Sequence, residues 1–430
     1  MHPDPTRGVV RSRPTLHLTA PEGWVNDPLG LTWHDGAYHL FYQHVPGQAG
    51  WAPQCRWGHA VSTDLLQWDH RPIALAPGEG DGGCWSGSIV APPGHPARMF
   101  YTSVDVEDFR VGRVRVATAD DPSWDTWTKG EVVVPAPNGD FVAWRDPQVV
   151  HDDTCWRMVV GAGLPDGTAV AYTYRSHDLQ VWSRDGELAR RHTSETDGVW
   201  TGEVWECPNL IKVDGEWVLT VSVWRPTEPF YQAYAVGRLV DGRFTAGAWH
   251  RMTYGPSYYA GSVHHDRHGT PGMLHWLRDV RPDNDTWASA ISLPHSWRRE
   301  GDRVLAEPNV VLDARRRGER ELRAEDGTLE VCGPIDLEWA PSDVDAVALH
   351  AAEGNPLVTL TARDGTLTAT TESGSWAMPH SASARAIVDN AIIEVFSDGR
   401  VMAVPLLADA GHVEVPGVGG VRIRDLATSP

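Results

Sequence analysis

The sequence predicts an all-β protein in which a five-bladed β-propeller is followed by a C-terminal β-sandwich. Three observations support this fold class. A turn followed by a short apolar strand recurs five times before residue 280. The 21 Trp, 42 Gly and 32 Pro suit tight turns, and no window has the apolar spacing of a long amphipathic helix. After about residue 322, short alternating strands with Asp-Gly turns are typical of a sandwich.

The fivefold repeat is measured by one apolar residue in each short strand. Successive markers are separated by 59, 59, 61 and 55 residues, and they are Leu40, Met99, Met158, Leu219 and Leu274. A strand-rich repeat of about 40–60 residues is typical of propeller blades, each a four-stranded antiparallel sheet. The repeat therefore predicts five blades closing around one axis.

Three acidic residues share one phase of this repeat. Asp27, Asp146 and Glu206 lie 12 or 13 residues before their markers, and each precedes a proline by one or two positions. Equal phase means equal radial position in a ring, so all three should face the central channel. The same offset falls on Ser86 in the second repeat and on the turn at 259–261 in the fifth. The sequence thus predicts a polar axial pocket with three carboxylates.

A second pair of similar segments supports the blade register. Residues 62–68 and 176–182 share a Ser-x-Asp-Leu start and a terminal tryptophan, and they lie 114 residues apart, which is two blades. Ser and Asp side chains can close a local turn, and the tryptophan can pack between sheets. We interpret both segments as structural.

The chain divides into three predicted regions. Residues 1–306 form the propeller, residues 307–321 a linker, and residues 322–430 the sandwich. The linker contains the run Arg315-Arg316-Arg317, which we interpret as a solvated stretch. No catalytic constellation is visible in the sandwich.

Charge and cysteine usage narrow the possible partners. The formal charge of −20 argues against nucleic acid and anionic membranes as partners, and weakly against phosphorylated substrates. Five scattered cysteines without a CxxC pair make a zinc site improbable, so we predict no metal and no cofactor. The segment His264-His265-Asp266 is interpreted as a polar loop.

Residues 1–7 show no secretory signal and no 18-residue apolar stretch exists, which predicts a cytoplasmic protein. The oligomeric state is left open.

Two facing carboxylates are the minimum for hydrolysing a glycosidic bond through a covalent intermediate. One must be ionised as the nucleophile, and the other must deliver a proton to the leaving group. Like charges at close range separate the pKa values of the two groups, and a third acid suits sugar hydroxyls. Each acid-proline motif alone is typical of a turn or a surface ion pair. Their shared phase favours a common site.

The motifs also resemble glycoside hydrolase family 32, the invertase, inulinase and levanase family, over about residues 15–410. The matching segments are Trp24–Gly30, Tyr38–Gln43, Trp57–Ser62, Trp85–Ser88, Arg145–Pro147, Glu206–Pro208 and Ala386–Phe396. The resemblance implies a retaining β-fructofuranosidase with Asp27 as nucleophile, Asp146 as transition-state stabiliser and Glu206 as acid/base. It also implies that Asn26, Gln43, Trp51, Ser86, Arg145 and Trp276 contact the fructosyl unit. We add Trp85 and Tyr259 as candidate substrate-binding residues.

Two positions depart from the family pattern. Leu29 stands where the family usually has Asn, next to the nucleophile. Ser257 stands where many members have Asp before the Tyr-Ala pair. Because the three acids are kept, activity should be kept too. The change at Ser257 would remove a charged contact near the leaving-group side and affect substrate choice.

The expected substrate is a small sugar, namely sucrose or a short fructo-oligosaccharide. A narrow axial funnel favours attack at a terminal fructosyl unit, and a protein without an export signal would not meet an external polymer. The alternatives are an exo-fructanase acting on inulin or levan, a fructosyltransferase, an inverting glycosidase acting on arabinosides, and a non-catalytic glycan-binding propeller. Retention predicts carboxyls of Asp27 and Glu206 about 5–6 Å apart, and inversion a wider spacing.

Overall fold

The structure, a computed structural model, describes residues 11–282, 286–380 and 382–429. The N-terminal segment 1–7 used above lies outside the described residues. Strands dominate both halves of the chain, and only two short 3-10 turns occur among the described residues, at Val310–Arg315 and Ala324–Asp326. None of the helical segments in these ranges is long and apolar enough to cross a membrane.

The predicted propeller is confirmed, with five antiparallel sheets in chain order. The first two blades contain β1 (Gly23–His34), β2 (Ala37–Val45), β3 (Arg56–Ser62), β4 (Asp69–Leu75), β5 (Gly83–Val90), β6 (Arg98–Val104), β7 (Arg113–Ala119) and β8 (Trp127–Val134). The next two contain β9 (Ala143–His151), β10 (Trp156–Gly163), β11 (Thr168–Ser176), β12 (Ser183–His192), β13 (Val204–Val213), β14 (Glu216–Arg225), β15 (Glu228–Val240) and β16 (Arg243–Arg251). After β17 (Thr253–Tyr254), the fifth region contains β18 (Tyr258–His265), β19 (Pro271–Leu277), β20 (Trp287–Ala288), β21 (Ala290–Ile291), β22 (His295–Glu300) and β23 (Arg303–Pro308).

The first strands of the five blades, β1, β5, β9, β13 and β18, form a closed ring in which each contacts its two neighbours. The ring is sealed by β20, which pairs in parallel with β1 through Trp287 and Gly23. All five repeat markers lie on the second strand of their blade and are buried. The apolar markers therefore fill the space between sheets, and the polar residues one strand earlier are left to face the axis.

Close approach between blades depends on glycine at the point where β10 meets β13. A Cβ atom on Gly161 would lie 2.1 Å from the carbonyl oxygen of Trp205, which is closer than real Cβ contacts. Any side chain there would push away the backbone that carries Glu206. The glycine thus fixes how near the third blade comes to the acid on the fourth.

The two Ser-x-Asp-Leu segments form the same turn, as predicted. The Ser62 hydroxyl accepts the backbone N–H of Leu65 at 2.8 Å, and the Asp64 carboxylate accepts two further backbone N–H groups. Ser176 and Asp178 repeat this pattern. The tryptophan of the second segment packs edge-on against a phenylalanine of the preceding blade. Both segments are structural.

The predicted sandwich is also confirmed. Its strands are β24 (Arg316–Arg323), β25 (Thr328–Glu330), β26 (Ile335–Trp339), β27 (Ala346–His350), β28 (Pro356–Arg363), β29 (Thr366–Thr371), β30 (Gly374–Pro379), β31 (Ala384–Asp389), β32 (Ile392–Ser397), β33 (Arg400–Pro405), β34 (His412–Glu414) and β35 (Gly420–Leu426). One sheet has the order β17-β33-β32-β31-β26-β35-β24, and the other β25-β34-β27-β28-β29-β30. The two-residue strand β17 joins a segment of the propeller half to the sandwich.

The prediction of a linker over residues 307–321 is wrong for its second half. Residues from 316 onward form β24, which pairs antiparallel with β35. Arg315 is buried and bound to Asp64 of the first blade, and Arg316 contacts Asp336 at 2.5 Å. A charge run is normally solvated, but here each of these two guanidinium groups has a carboxylate partner. The other domain limits remain predictions.

The interpretation of residues 264–266 as a polar loop is wrong for its first two residues, and Asp266 alone lies in the turn after the strand. His264 and His265 are the last two residues of β18, and His264 is buried. Burial lowers the pKa of His264 to about 3, so its imidazole is neutral near physiological pH.

A buried polar network joins the propeller to the sandwich. The two ring nitrogens of His17 lie 2.8 Å from carboxylate oxygens of Asp389 and Glu394. Glu394 also accepts the Tyr258 hydroxyl at 2.5 Å and lies 3.1 Å from the His295 ring. These side chains are inaccessible to solvent. The N-terminal segment, the fifth blade and the sandwich thus meet at one pair of carboxylates.

Candidate active site

One mouth of the ring axis opens into a cavity of about 290 Å³. Every predicted site residue lines it: Asn26, Asp27, Gln43, Trp51, Trp85, Ser86, Arg145, Asp146, Glu206, Tyr259 and Trp276. A larger groove of about 770 Å³ lies between the two domains. Its carboxylates are tied to arginines, as in the pair Asp398–Arg303. The smaller cavity is the better candidate because it collects three carboxylates beside Arg145, of which that of Asp146 is buried and those of Asp27 and Glu206 are partly buried.

Irregular backbone places the side chains of the axial ring. The pairing of the first and second strands shifts register in all five blades, twice in the first blade and once in each of the others. Such β-bulges redirect side chains next to functional sites. The positions inserted at the five bulges include Asp27, Ser86, Asp146, Cys207 and Ala260. The shared sequence phase of the acids therefore corresponds to a shared bulge.

The bulges also explain why a proline accompanies each acid. Proline has no N–H to give to a ladder and is confined to edges and bulges. Pro147 and Pro208 lie within bulges, and Pro28 lies directly after one. Asp146 and Cys207 have positive φ angles of 65° and 43°, a backbone conformation that costs about 1–3 kcal/mol and is concentrated at functional sites.

Asp27 is held by two hydrogen-bond donors. The Ser86 hydroxyl donates to Oδ2, and the Asn26 amide donates to Oδ1 at 2.9 Å. Asn26 is oriented in turn by the indole N–H of Trp24 at 3.0 Å. Burial raises the pKa of Asp27 and the negative charge of Glu206 adds to this, while the two donors oppose it. The carboxylate is therefore oriented by polar contacts rather than paired with a cation.

Glu206 has a different environment from Asp27. Arg145 donates from Nε at 3.1 Å and from Nη2 at 2.7 Å to Oε1, and the Tyr259 hydroxyl donates to Oε2. The guanidinium of Arg145 lies over two indole rings, 5.4 Å from Trp85 and 5.3 Å from Trp224. Two cation–π contacts and a forked hydrogen bond hold the arginine on Glu206.

Asp146 lies between these two acids. Its Oδ2 accepts the backbone N–H of Cys207 at 3.0 Å, and its own N–H donates to the Thr102 hydroxyl at 2.8 Å. Burial, together with the charges of Glu206 and Asp27, raises the pKa of Asp146 to about 7, against the opposing effect of Arg145. An acid with this pKa holds a proton for part of the time near neutral pH.

Cys207 bridges the two aspartates. Its Sγ lies 3.6 Å from Oδ2 of Asp27 and 3.7 Å from Oδ2 of Asp146. Burial and the charges of both aspartates raise the pKa of the thiol well above its usual value, so it remains protonated and can donate weakly. Together with the bulge geometry, this contact fixes the spacing of Asp27 and Asp146.

The raised pKa of Asp146 predicts a stability effect. A carboxyl with a folded-state pKa above its unfolded value contributes stability that is lost as pH rises through the folded value. Because that value is about 7, Asp146→Asn should raise the free energy of unfolding at pH 8 by about 1–3 kcal/mol. At pH 4 the two proteins should be nearly equal. Urea unfolding at both pH values measures this, and a variant less stable than the wild type at pH 8 would contradict it.

Sequence reasoning missed several residues that line the cavity, most notably Trp224. It lies near the end of β14, outside the repeat phase of the acids. The chain has 21 tryptophans, and nothing in the sequence around Trp224 marks it as different from the others. Its face covers Arg145, so only the fold shows its place. Phe109 and Arg110 reach the cavity from a loop after β6, and Pro229 reaches it from the start of β15.

The two departures from the family pattern lie away from the cavity. Leu29 is buried between the first two blades, in a cluster with Phe41 and Trp57. Ser257 is also buried and is not among the described residues that line the cavity. Its carbonyl accepts the backbone N–H of Arg278 at 2.9 Å. We expected Ser257 to remove a charged contact with the substrate. Because position 257 does not line the cavity, the geometry does not support such a direct contact.

No group of three or more His, Cys, Asp or Glu in the described ranges is arranged to hold a metal ion. The cavity itself offers three carboxylates, two arginines and a rim of aromatic rings. Trp51 is 46% exposed at this rim, and Trp24 and Trp276 meet edge to face at 5.5 Å. Aromatic faces beside carboxylates suit a carbohydrate, whose ring can stack while its hydroxyls bind the acids.

Comparison with known proteins identifies the family. Residues 17–308 match the glycosyl hydrolases family 32 N-terminal domain. The raffinose invertase of Escherichia coli is 30% identical over 322 residues, covering 71% of this chain and 66% of that protein. The sucrose-6-phosphate hydrolase of Bacillus subtilis is 29% identical, covering 77% and 73%. The match to the E. coli protein thus spans just under two thirds of its length.

Among solved structures, the GH32 beta-fructofuranosidase BmSUC1 of Bombyx mori superposes with a TM-score of 0.84 at 24% identity, covering 96% of this chain and 94% of that chain. A likeness at this identity concerns the fold, and it extends across both domains. The family predicted from the short motifs is confirmed: the chain belongs to glycosyl hydrolases family 32.

Proposed function

We propose that the protein is a retaining β-fructofuranosidase that releases terminal β-D-fructofuranosyl units from sucrose and short fructo-oligosaccharides. The observation that carries this proposal is the meeting of Asp27, Asp146 and Glu206 in one cavity with three different environments. Asp27 is oriented by neutral donors, Glu206 is bound to a cation, and Asp146 lies between them with a raised pKa. Family membership and the relatives described above support the same reaction class.

In the first step, the ionised carboxylate of Asp27 attacks the anomeric carbon of the fructosyl unit. Glu206 gives its proton to the glycosidic oxygen as the bond to the leaving group breaks, which leaves a fructosyl ester on Asp27. Arg145 and Tyr259 both donate to Glu206, so they stabilise the carboxylate that remains after the proton has left. The hydrogen bonds from Asn26 and Ser86 keep Asp27 aimed at one position.

In the second step, Glu206 accepts a proton from water, and the resulting hydroxide oxygen attacks the same carbon. The ester bond breaks, Asp27 recovers its charge, and fructose leaves with the original anomeric configuration. Asp146 binds fructosyl hydroxyls and stabilises the positive charge that develops on the ring. The roles of all three acids are part of this proposal.

The size of the cavity determines the expected substrate. About 290 Å³ is at the small end for ligand pockets and suits one fructosyl unit at the end of a chain. We expect kcat/KM for sucrose and kestose to exceed that for inulin and levan, measured under one set of conditions. The retaining mechanism has a separate test: proton NMR of freshly released fructose should show the β anomer before mutarotation. Early release of internal oligosaccharides, or a higher value for either polymer, would reject this substrate range and favour a fructanase.

We also propose that the protein acts in the cytoplasm on a small sugar. All five cysteines are free thiols, which fits a reducing compartment, where disulfides are rare. Fractionation of cells with an antibody against the native chain tests this location. Recovery of the protein in the medium or the periplasm would contradict it.

A further inference from the structure

A second cavity, of about 350 Å³, lies where the fourth blade, the fifth blade and the sandwich meet. It shares no lining residue with the candidate active site among the described residues. Three arginines from three different segments line it: Arg251 at the end of β16, Arg303 at the start of β23 and Arg400 at the start of β33. Such a cluster is unusual in a chain with a formal charge of −20.

Arg251 is fixed in place without an anionic partner. Its guanidinium carbon lies 4.2 Å from the ring centre of Tyr231 and 4.4 Å from that of Tyr254, and its Nε donates to the Thr253 carbonyl at 2.8 Å. The two rings and this bond set the plane of the fork. Within the described part of the chain, its two terminal nitrogens have no acceptor and no carboxylate lies within ion-pair distance. Burial lowers the pKa of Arg251, as expected for a cation withdrawn from water without a counter-charge.

The other two arginines are only partly neutralised. Arg303 and Arg400 share the single carboxylate of Asp398, which Arg303 meets at 2.9 Å. The three guanidinium groups and this one carboxylate leave two positive charges at the cavity. The mostly exposed carboxylate of Asp302 lies 3.3 Å from His250, which is also in the lining, so the excess falls to one positive charge when this carboxylate is counted.

We propose that this cavity binds the phosphoryl group of a small anion, either inorganic phosphate or a phosphorylated sugar. A planar guanidinium with two free terminal nitrogens matches phosphate oxygens in a forked geometry. The volume lies within the range of small-molecule sites, and the walls also include the side chains of Tyr234, Trp249 and Tyr254. A ligand here would contact the propeller and the sandwich at the same time.

The test is thermal unfolding of the full chain with inorganic phosphate, fructose 6-phosphate or fructose, each at matched ionic strength with chloride as reference. A ligand that binds the folded state alone raises the melting temperature with concentration. Phosphate should raise it, and fructose 6-phosphate should raise it more than fructose does, because fructose can occupy only the candidate active site. A larger shift with fructose 6-phosphate at equal concentration identifies a phosphorylated sugar, and equal shifts identify free phosphate. No shift beyond that of chloride, or an equal shift with fructose, overturns the proposal.

Variants locate the site. Arg251→Gln should weaken the apparent affinity for phosphate about tenfold to a hundredfold, because a charge-assisted hydrogen bond is lost. Arg243→Gln removes the same charge from an exposed position on the same strand, outside the cavity, and should leave the affinity unchanged. Equal weakening in both variants would show a general charge effect and refute the site. If Arg251→Gln does not fold, Arg400→Gln serves in its place, with the same expected loss.

Discussion

Asp27→Ala is expected to abolish hydrolysis of every fructoside, with a loss in kcat on the order of 10⁴-fold or more. The reason is that no other carboxylate can form the covalent ester: Asp146 is tied to the backbone of Cys207, and Glu206 is bound by Arg145 and Tyr259. Glu206→Ala should lose about 10²–10⁴-fold on sucrose, whose leaving group needs a proton. It should lose far less on a fructoside with an acidic leaving group.

The comparison of the two variants on two substrate types separates the roles. kcat should be measured for sucrose and for an aryl fructoside, with Asp27→Asn and Glu206→Gln as variants of nearly unchanged shape. Melting temperatures close to that of the wild type would show that the folds are intact. Equal losses for Glu206→Ala on both substrates would contradict its assignment as the proton donor. Residual activity of Asp27→Ala on the activated substrate would contradict its assignment as the nucleophile.

The largest expected effect on stability comes from the network between the domains. His17→Ala should lower the free energy of unfolding by about 3–5 kcal/mol, because it leaves two buried carboxylates without their shared cation. These are Asp389 and Glu394, each 2.8 Å from a nitrogen of His17. Urea unfolding at pH 7 measures the loss. His177→Ala, in an exposed turn of the third blade, is the matched control and should change stability little.

The same network gives the loss a definite pH dependence. Burial alone would lower the pKa of His17, but the hydrogen bonds and charges of Asp389 and Glu394 raise it to about 9. Its contribution to stability is therefore complete below pH 6.5 and is lost as pH rises through about 9. Burial alone would raise the pKa of both carboxyls, yet their bonds to His17 hold them below the usual range. Their contribution is lost in acid, so the gap between wild type and His17→Ala should be widest near neutral pH. A gap of constant size from pH 4 to pH 10 would argue against this account.

The repeat made the propeller and the acids predictable, because a fivefold period in apolar strands also fixes which polar residues face the axis. Asp27, Asp146 and Glu206 could be found since bulges recur at the same phase in each blade. Trp224 could not be found, because it reaches the cavity from a second strand, outside that phase. It holds Arg145 through its ring face, and such a contact leaves no pattern in the local sequence.

Two other features escaped prediction for different physical reasons. The arginines of β24 resemble a solvated run, and only the partners of Arg316, which lie on β26, show that it belongs to a sheet edge. The partners of His17 lie 372 and 377 positions away, and no local spacing relates such distant groups. Buried ion pairs between domains are set by the final packing, whereas blade periodicity is set strand by strand.

The distance between His17 and Glu394 has a consequence for how the protein is made. A ribosome that adds about 5–20 residues per second takes about 20–75 seconds to pass from one of these residues to the other, since 377 positions separate them. β1, the strand that carries Asp27, emerges early in that interval, whereas its parallel partner β20 begins only at Trp287 and the carboxylates that bind His17 come later still. The first blade is therefore synthesised first, but the edge of β1 that pairs with β20 stays open for much of translation. An unpaired strand edge is a template for pairing with other chains, so a chaperone that covers this edge would protect the nascent protein.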